Sequence, residues 1–129
     1  MLVISRRTSE AVIIGDAYTV TPREITERSL TLDIEAVEPF HLHGNAAAEI
    51  APTAAPATQF ECILTRNGMA WIEEDFYLVL ISTRLVDAGG GYAARLGLEG
   101  PRGTKFLCHY ANGRESKPHV MGEVMASRQ

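Results

Sequence analysis

The sequence predicts a mostly β protein: two small antiparallel β units in one chain, packed together as an intramolecular pseudo-dimer, with a short C-terminal helix. Three observations lead there. Short runs with strand chemistry alternate with turn signals along the chain. Runs in the first half have counterparts in the second. Between the halves lies Asn45–Gln59, reading NAAAEIAPTAAPATQ, an alanine-, threonine- and proline-rich linker. Units of this size bury too little surface to be stable alone, and packing two copies together solves that problem. Fifteen linker residues reach at most about 50 Å, beyond the roughly 36 Å diameter of a compact chain this long.

In chain order, Leu2–Ser5, Ala11–Ile14, Tyr18–Thr21 and Leu30–Ile34 carry strand chemistry. Leu30-Thr31-Leu32-Asp33-Ile34 alternates apolar and polar with period two, as a half-buried strand does. The linker follows, with one helical turn expected at Ala46–Glu49. After it, Phe60–Thr65, Phe76–Ser82, Ala93–Leu98 and Lys105–Tyr110 read as strands. Asp87-Ala88-Gly89-Gly90-Gly91 and Pro101-Arg102-Gly103 read as turns. Pro118 suits a first helical position, with Ser116 as cap. Val120, Met121, Val124 and Met125 then form an apolar stripe, which Gly122 weakens. The units are therefore 1–44 and 60–113, with the helix or tail at 114–129.

Composition bounds the function. The chain has 129 residues, 46% hydrophobic and 22% charged, with net charge -4. That is ordinary globular composition and disfavours a generic polyanion binder with a basic coat. No apolar run approaches the roughly 20 residues of a membrane span. Met1–Arg7 lacks signal-peptide anatomy, so a cytoplasmic protein with no membrane partner is expected. Cys62 and Cys108 are then expected as buried thiols. Residues 1–60 hold four basic against eight acidic residues, whereas 61–129 hold eight of each. A bound polyanion is thus better hosted by the second half.

The repeat sets Val3-Ile4-Ser5-Arg6-Arg7 against Ile63-Leu64-Thr65-Arg66-Asn67, and Ala17–Val20 against Asp75–Leu78. Leu30–Ile34 falls against Ala94–Leu98, and Phe40–Gly44 against Phe106–Tyr110. The opening Met1-Leu2-Val3-Ile4-Ser5-Arg6-Arg7, then Glu10, then Val12-Ile13-Ile14-Gly15-Asp16, resembles the carbon storage regulator family (CsrA, also called RsmA). The resemblance covers residues 1–43. A diverged second copy keeps Ile63–Arg66, Arg95–Leu98, Pro101 and His109.

This resemblance implies five-stranded units whose first and last strands pair with the partner's middle strands. It implies binding to messenger-RNA leaders at GGA-containing loops, and hence control of translation. The family's binding surface joins the first strand of one unit to the last strand of the other. Its first-strand arginines carry over to Arg6, Arg7 and Arg66, and its last-strand histidine to His43 and His109. The family's last-strand arginine is replaced by Gly44 and Tyr110.

Guanidinium groups pair with phosphate or with guanine edges, so Arg6, Arg7 and Arg66 are candidate RNA contacts. Tyr110 can stack on an unpaired base, while Arg102 and Lys105 precede the last strand and can hold phosphates. Each has a bland counterpart: an arginine paired to an acid at a strand edge, a tyrosine capping the core, a solvated turn. His41-x-His43 points two imidazoles to one face, but adjacent Cys108 and His109 point apart. The set matches no zinc signature, so no metal or other cofactor is expected. Neither a phosphate-binding glycine loop nor a serine elbow is present, and a non-enzyme follows. The leading expectation is a divergent RNA-binding translational regulator. The alternative is a protein-interaction module or decoy of the same fold, because the net charge and the absent arginines weaken RNA affinity. A protein antagonist and a higher oligomer are compatible with either.

Overall fold

Twelve strands and no helix make up the computed structural model among its described residues, which are 1–51, 56–86, 89, 91–109, 114–115 and 118–121. The strands are β1 (Leu2–Arg6), β2 (Val12–Ile14), β3 (Tyr18–Ile25), β4 (Ser29–Phe40), β5 (Leu42–Gly44) and β6 (Ala48–Ala51). They continue with β7 (Ala57–Thr65), β8 (Met69–Ile72), β9 (Phe76–Leu85), β10 (Tyr92–Glu99), β11 (Lys105–Cys108) and β12 (His119–Val120). One sheet runs β1-β10-β9-β8-β5, the other β12-β11-β2-β3-β4-β7-β6, and every pairing is antiparallel. No helix among the described residues is long and apolar enough to cross a membrane.

Alternation builds the core. Along β4, Leu30, Leu32 and Ile34 are fully buried, while Thr31, Asp33 and Glu35 turn outward. The same period buries Phe60, Cys62 and Leu64 on β7, Leu78 and Leu80 on β9, and Leu96 and Leu98 on β10. Each such side chain contributes about 1.5–3 kcal/mol on leaving water. Tyr18 links the two sheets through edge-to-face contacts with Phe40 at 5.2 Å and, on β9 of the other sheet, Phe76 at 5.7 Å.

The pairings cross between the halves of the chain. β1 and β5, from before the Ala51–Pro56 segment, flank β10, β9 and β8, from after it. Reciprocally, β7 and β11 flank β2, β3 and β4. The registers correspond as well. Ile14 faces Tyr18 as Ile72 faces Phe76, a spacing of 58 positions. Arg6 faces Ala94 as Leu64 faces Leu30. Both long hairpins carry a register shift at the matching place, between Pro22 and Glu24 and opposite Arg95/Leu96. Pro22 lacks an N–H, and a bulge is where a strand tolerates it. Loop bonds correspond too: Ser9 N–H donates to Pro22 O, and Asn67 N–H to Leu80 O. Ser9 and Asn67 share a left-handed backbone, with φ of 71° and 67°.

Several expectations need correction. The repeat matches at Ala17–Val20 and Leu30–Ile34 agree with the pairing, but the first and last are displaced by two residues. Arg6 corresponds to Leu64, not Arg66, and His43 to Leu107, not His109. Apolar strands look alike when slid by two, so a chance Ser-Arg/Thr-Arg match outweighed the true register. The linker is no tether along its length. Ala48–Ala51 pairs with β7 as a strand instead of forming a helical turn, and β7 already begins at Ala57. The unpaired edge of β7 makes that strand favourable, since its main-chain donors need partners. Residues 52–55 lie outside the described residues. At the C-terminus, His119–Val120 pairs with Lys105 and Phe106 as β12, so no helix begins there. Val124, Met125 and Ser116 lie outside the described residues, as do Asp87, Ala88 and Gly90 of the glycine turn.

Candidate nucleic-acid interface

The expected RNA contacts fall into separate environments. Arg6 ends β1 with only 4% exposure. Its Nη1 donates to His109 O at 2.8 Å and its Nε to Ser5 O at 2.8 Å. The guanidinium therefore ties β1 to the chain just beyond β11. This brings together the first strand of one half and the last strand of the other, but it buries the group meant to contact RNA. Arg7 is exposed in the turn that follows, where its N–H donates to Glu10 Oε1 at 2.8 Å. His109 N–H donates to Ala11 O, and its Nε2 lies 3.0 Å from Glu115 Oε2. That approach is too poorly aligned for a hydrogen bond. Tyr110 lies outside the described residues. Arg102 and Lys105 are exposed beside the β2–β3 hairpin, where Lys105 O accepts from Gly15 N–H. One strand length of about 13 Å separates Lys105 from His109.

His43 sits on the outer face of the first sheet. There a cross-strand row runs His43, Trp71, Tyr77, Glu99. Trp71 and Tyr77 have ring centroids 6.2 Å apart, and His41 stacks on His43 at 6.3 Å and 5°. The neighbouring row is Met69, Val79, Gly97 and Val3, with Met1 lying across Gly97. Met1 is 60% exposed and Val3 40%. The corresponding rows of the other sheet read Leu107, Ile13, Thr19, Glu35, Gln59 and then Thr21, Asp33, Glu61, Ala51. One sheet thus presents aromatic and apolar groups, the other carboxylates.

Charged clusters lie at both ends of the strands. Glu73, Glu74 and Asp75 of the β8–β9 hairpin line a cleft with His41 and His43. Asp16 and Glu38 line another beside Tyr18. Burial, and then the charges of Glu73 and Asp75, raise the Tyr18 hydroxyl above its usual 10.0. Glu73 is held at φ 55° with both carboxylate oxygens turned to His41, its Oε1 accepting the His41 N–H at 3.1 Å. At the opposite end, Arg66 lies exposed in the β7–β8 turn and Arg28 in the β3–β4 turn. Together with Glu27, Thr65, Leu80, Ser82 and Thr83 they line a cleft of 440 Å³. Arg84, near the end of β9, and Arg95, within β10, are exposed as well. Arg28 was absent from the expected contacts because nothing in its local sequence marks it. Only the folding of one hairpin tip against β9 brings it to Arg66.

No protein-family model, curated protein or solved structure matches this chain.

The remaining reactive groups are enclosed. Cys62 and Cys108 are buried and form no disulfide with each other. Burial pushes the Cys62 thiol up to about 12, so it stays protonated and unreactive near neutral pH.

Proposed function

We propose that this protein is an RNA-binding post-transcriptional regulator of the carbon storage regulator type, built in one chain as a strand-exchanged pseudo-dimer. The observation that carries the reading is the strand order. Outer strands β1 and β5 of the first half enclose the middle strands of the second, and β7 and β11 reciprocate. This is the exchange that the resemblance of Met1–Asp16 implies. Corresponding registers and loop bonds support a duplicated origin. Arg7, His43, Arg66, Arg102 and Lys105 are the exposed members of the expected contact set, whereas Arg6 acts as a structural tie. The partner is messenger RNA carrying an unpaired GGA loop. A gel-shift titration against a GGA hairpin, with a GGA-mutated hairpin as control, tests this. Preferential retardation of the GGA hairpin is expected. Equal affinity for both, or no binding at low salt, overturns the reading.

A second reading has its own observation: the first sheet sets exposed Met1 and Val3 beside half-buried Trp71 and Tyr77, and the outer face of the other sheet carries exposed Glu35 and Glu61. Exposed apolar surface of this kind suits a protein partner, and an acidic sheet repels RNA. In this reading the fold is an interaction module. A stoichiometric protein partner whose binding survives Arg7→Ala with Arg66→Ala, in material free of RNA, decides in its favour.

A further inference from the structure

Arg28 and Arg66 come from turns 38 positions apart in the sequence, yet face one cleft. Each turn is fixed by hydrogen bonds. Thr26 Oγ1 accepts from Arg28 N–H at 3.2 Å and Ser29 N–H at 3.0 Å, and Thr83 Oγ1 donates to Glu27 O. The β3–β4 tip is thereby pinned to β9. Arg66 precedes Asn67, whose left-handed backbone is held by its N–H bond to Leu80 O at 2.8 Å. Neither guanidinium makes an ion pair among the described residues, although Glu27 lies in the same lining. Arg23, by contrast, is neutralised by Asp33. The Ser82 hydroxyl adds a donor at the wall, and Leu80 an apolar floor.

Two guanidiniums without an ion pair, on fixed turns and with a hydroxyl in the same cleft lining, suit a tetrahedral oxyanion. Their planar forks match phosphate oxygens bidentately. We propose that the Arg28–Arg66 cleft is a phosphate-binding site, and that its occupant is a backbone phosphate of single-stranded RNA. The RNA identity of the occupant rests on the function proposed above; phosphate recognition by the cleft does not. The other half lacks a matching site. By register, Thr8 stands where Arg66 would be, Pro22 where Leu80 would be, and Glu24 where Ser82 would be. Among the described residues, one site of this kind follows.

The test uses the full chain and the double variant Arg28→Ala with Arg66→Ala, both exposed positions, with thermal melting to verify folding. In the first arm, tripolyphosphate is titrated while backbone amide resonances are followed. Saturable one-to-one shifts at Arg28, Arg66, Ser82 and Thr83, lost in the double variant, are expected. Shifts spread over all arginine-bearing surface, or unchanged in the double variant, overturn the site. In the second arm, the GGA hairpin and its mutated control are titrated over a salt series. The double variant should weaken both about tenfold and reduce the log–log salt slope by about 1.4, two contacts at about 0.7 each. Unaltered RNA affinity and slope overturn the cleft as an RNA contact. Tripolyphosphate binding with no RNA binding by the parent chain upholds the phosphate site, overturns its RNA occupant and sinks the regulator reading.

Discussion

Cutting the chain between Ala51 and Pro56 should leave one complex, not two folded pieces. Each sheet takes strands from both sides of the cut: β1 and β5 hold β10 and β8, while β7 and β11 hold β4 and β2. Neither fragment retains a closed core, since Leu30, Leu32 and Ile34 pack with Phe60, Cys62 and Leu64 across the break. A protease site placed at residues 52–55 makes the perturbation. The uncut link provides an effective concentration of the order of 1 mM, as short tethers do. For fragments at about 10 µM the folded state then loses about 2.7 kcal/mol. In a chain of this length that lowers Tm by roughly 10 °C, and tenfold dilution by about 5 °C more. Native size-exclusion chromatography and thermal melts at two concentrations measure both. The uncut chain should melt independently of concentration. Two separately eluting fragments, each with a strand-rich circular-dichroism spectrum, would refute the reasoning, as would a cut complex whose Tm ignores dilution.

Arg6→Ala should cost about 1–3 kcal/mol by stranding the His109 carbonyl it now serves; Arg7→Ala, exposed, should cost less in a urea titration, and equal losses contradict the structural role. Burial that raises the Cys62 thiol from 9.0 to about 12 keeps the folded state protonated where the unfolded chain ionises. Stability should therefore be unaffected below pH 9 and fall with rising pH between 9 and 12, by up to about 1.4 kcal/mol per unit. Urea titrations across that range should show a shallower decline in Cys62→Ala, despite its lower stability at pH 7. Gly68→Ala should destabilise by about 1–3 kcal/mol, because a Cβ there meets Ala47 O at 2.3 Å and Thr65 O at 2.8 Å, both main-chain atoms. A melting temperature equal to that of the parent chain would show that this loop yields.

Fold class and most strands were legible in the sequence because alternation is local. Leu30–Ile34 states its buried face without reference to any partner, and the turn at Pro101–Gly103 separates its neighbouring strands. Elements that depend on a partner were not legible. Ala48–Ala51 has linker composition, and it is a strand because the β7 edge offers hydrogen bonds. Leu42–Gly44 and Met69–Ile72 are too short to show a period, and they are strands because each pairs with the other. His119–Val120 carries part of a helical stripe, yet Lys105 and Phe106 supply a ladder at that point.

The functional residues divide in the same way. Residue type is written in the chain, so a guanidinium or an imidazole can be nominated from its position in a motif. Exposure and company are not. Arg6 and Arg7 are adjacent, and the pleat sends one inward to the His109 carbonyl and the other to solvent. Arg28 and Arg66 share no motif and meet only because Thr83 pins a distant hairpin tip against β9. The period of the chain specifies which faces are apolar. Which edges meet, and so which charges are spent and which remain available, follows from long-range pairing that no local window contains.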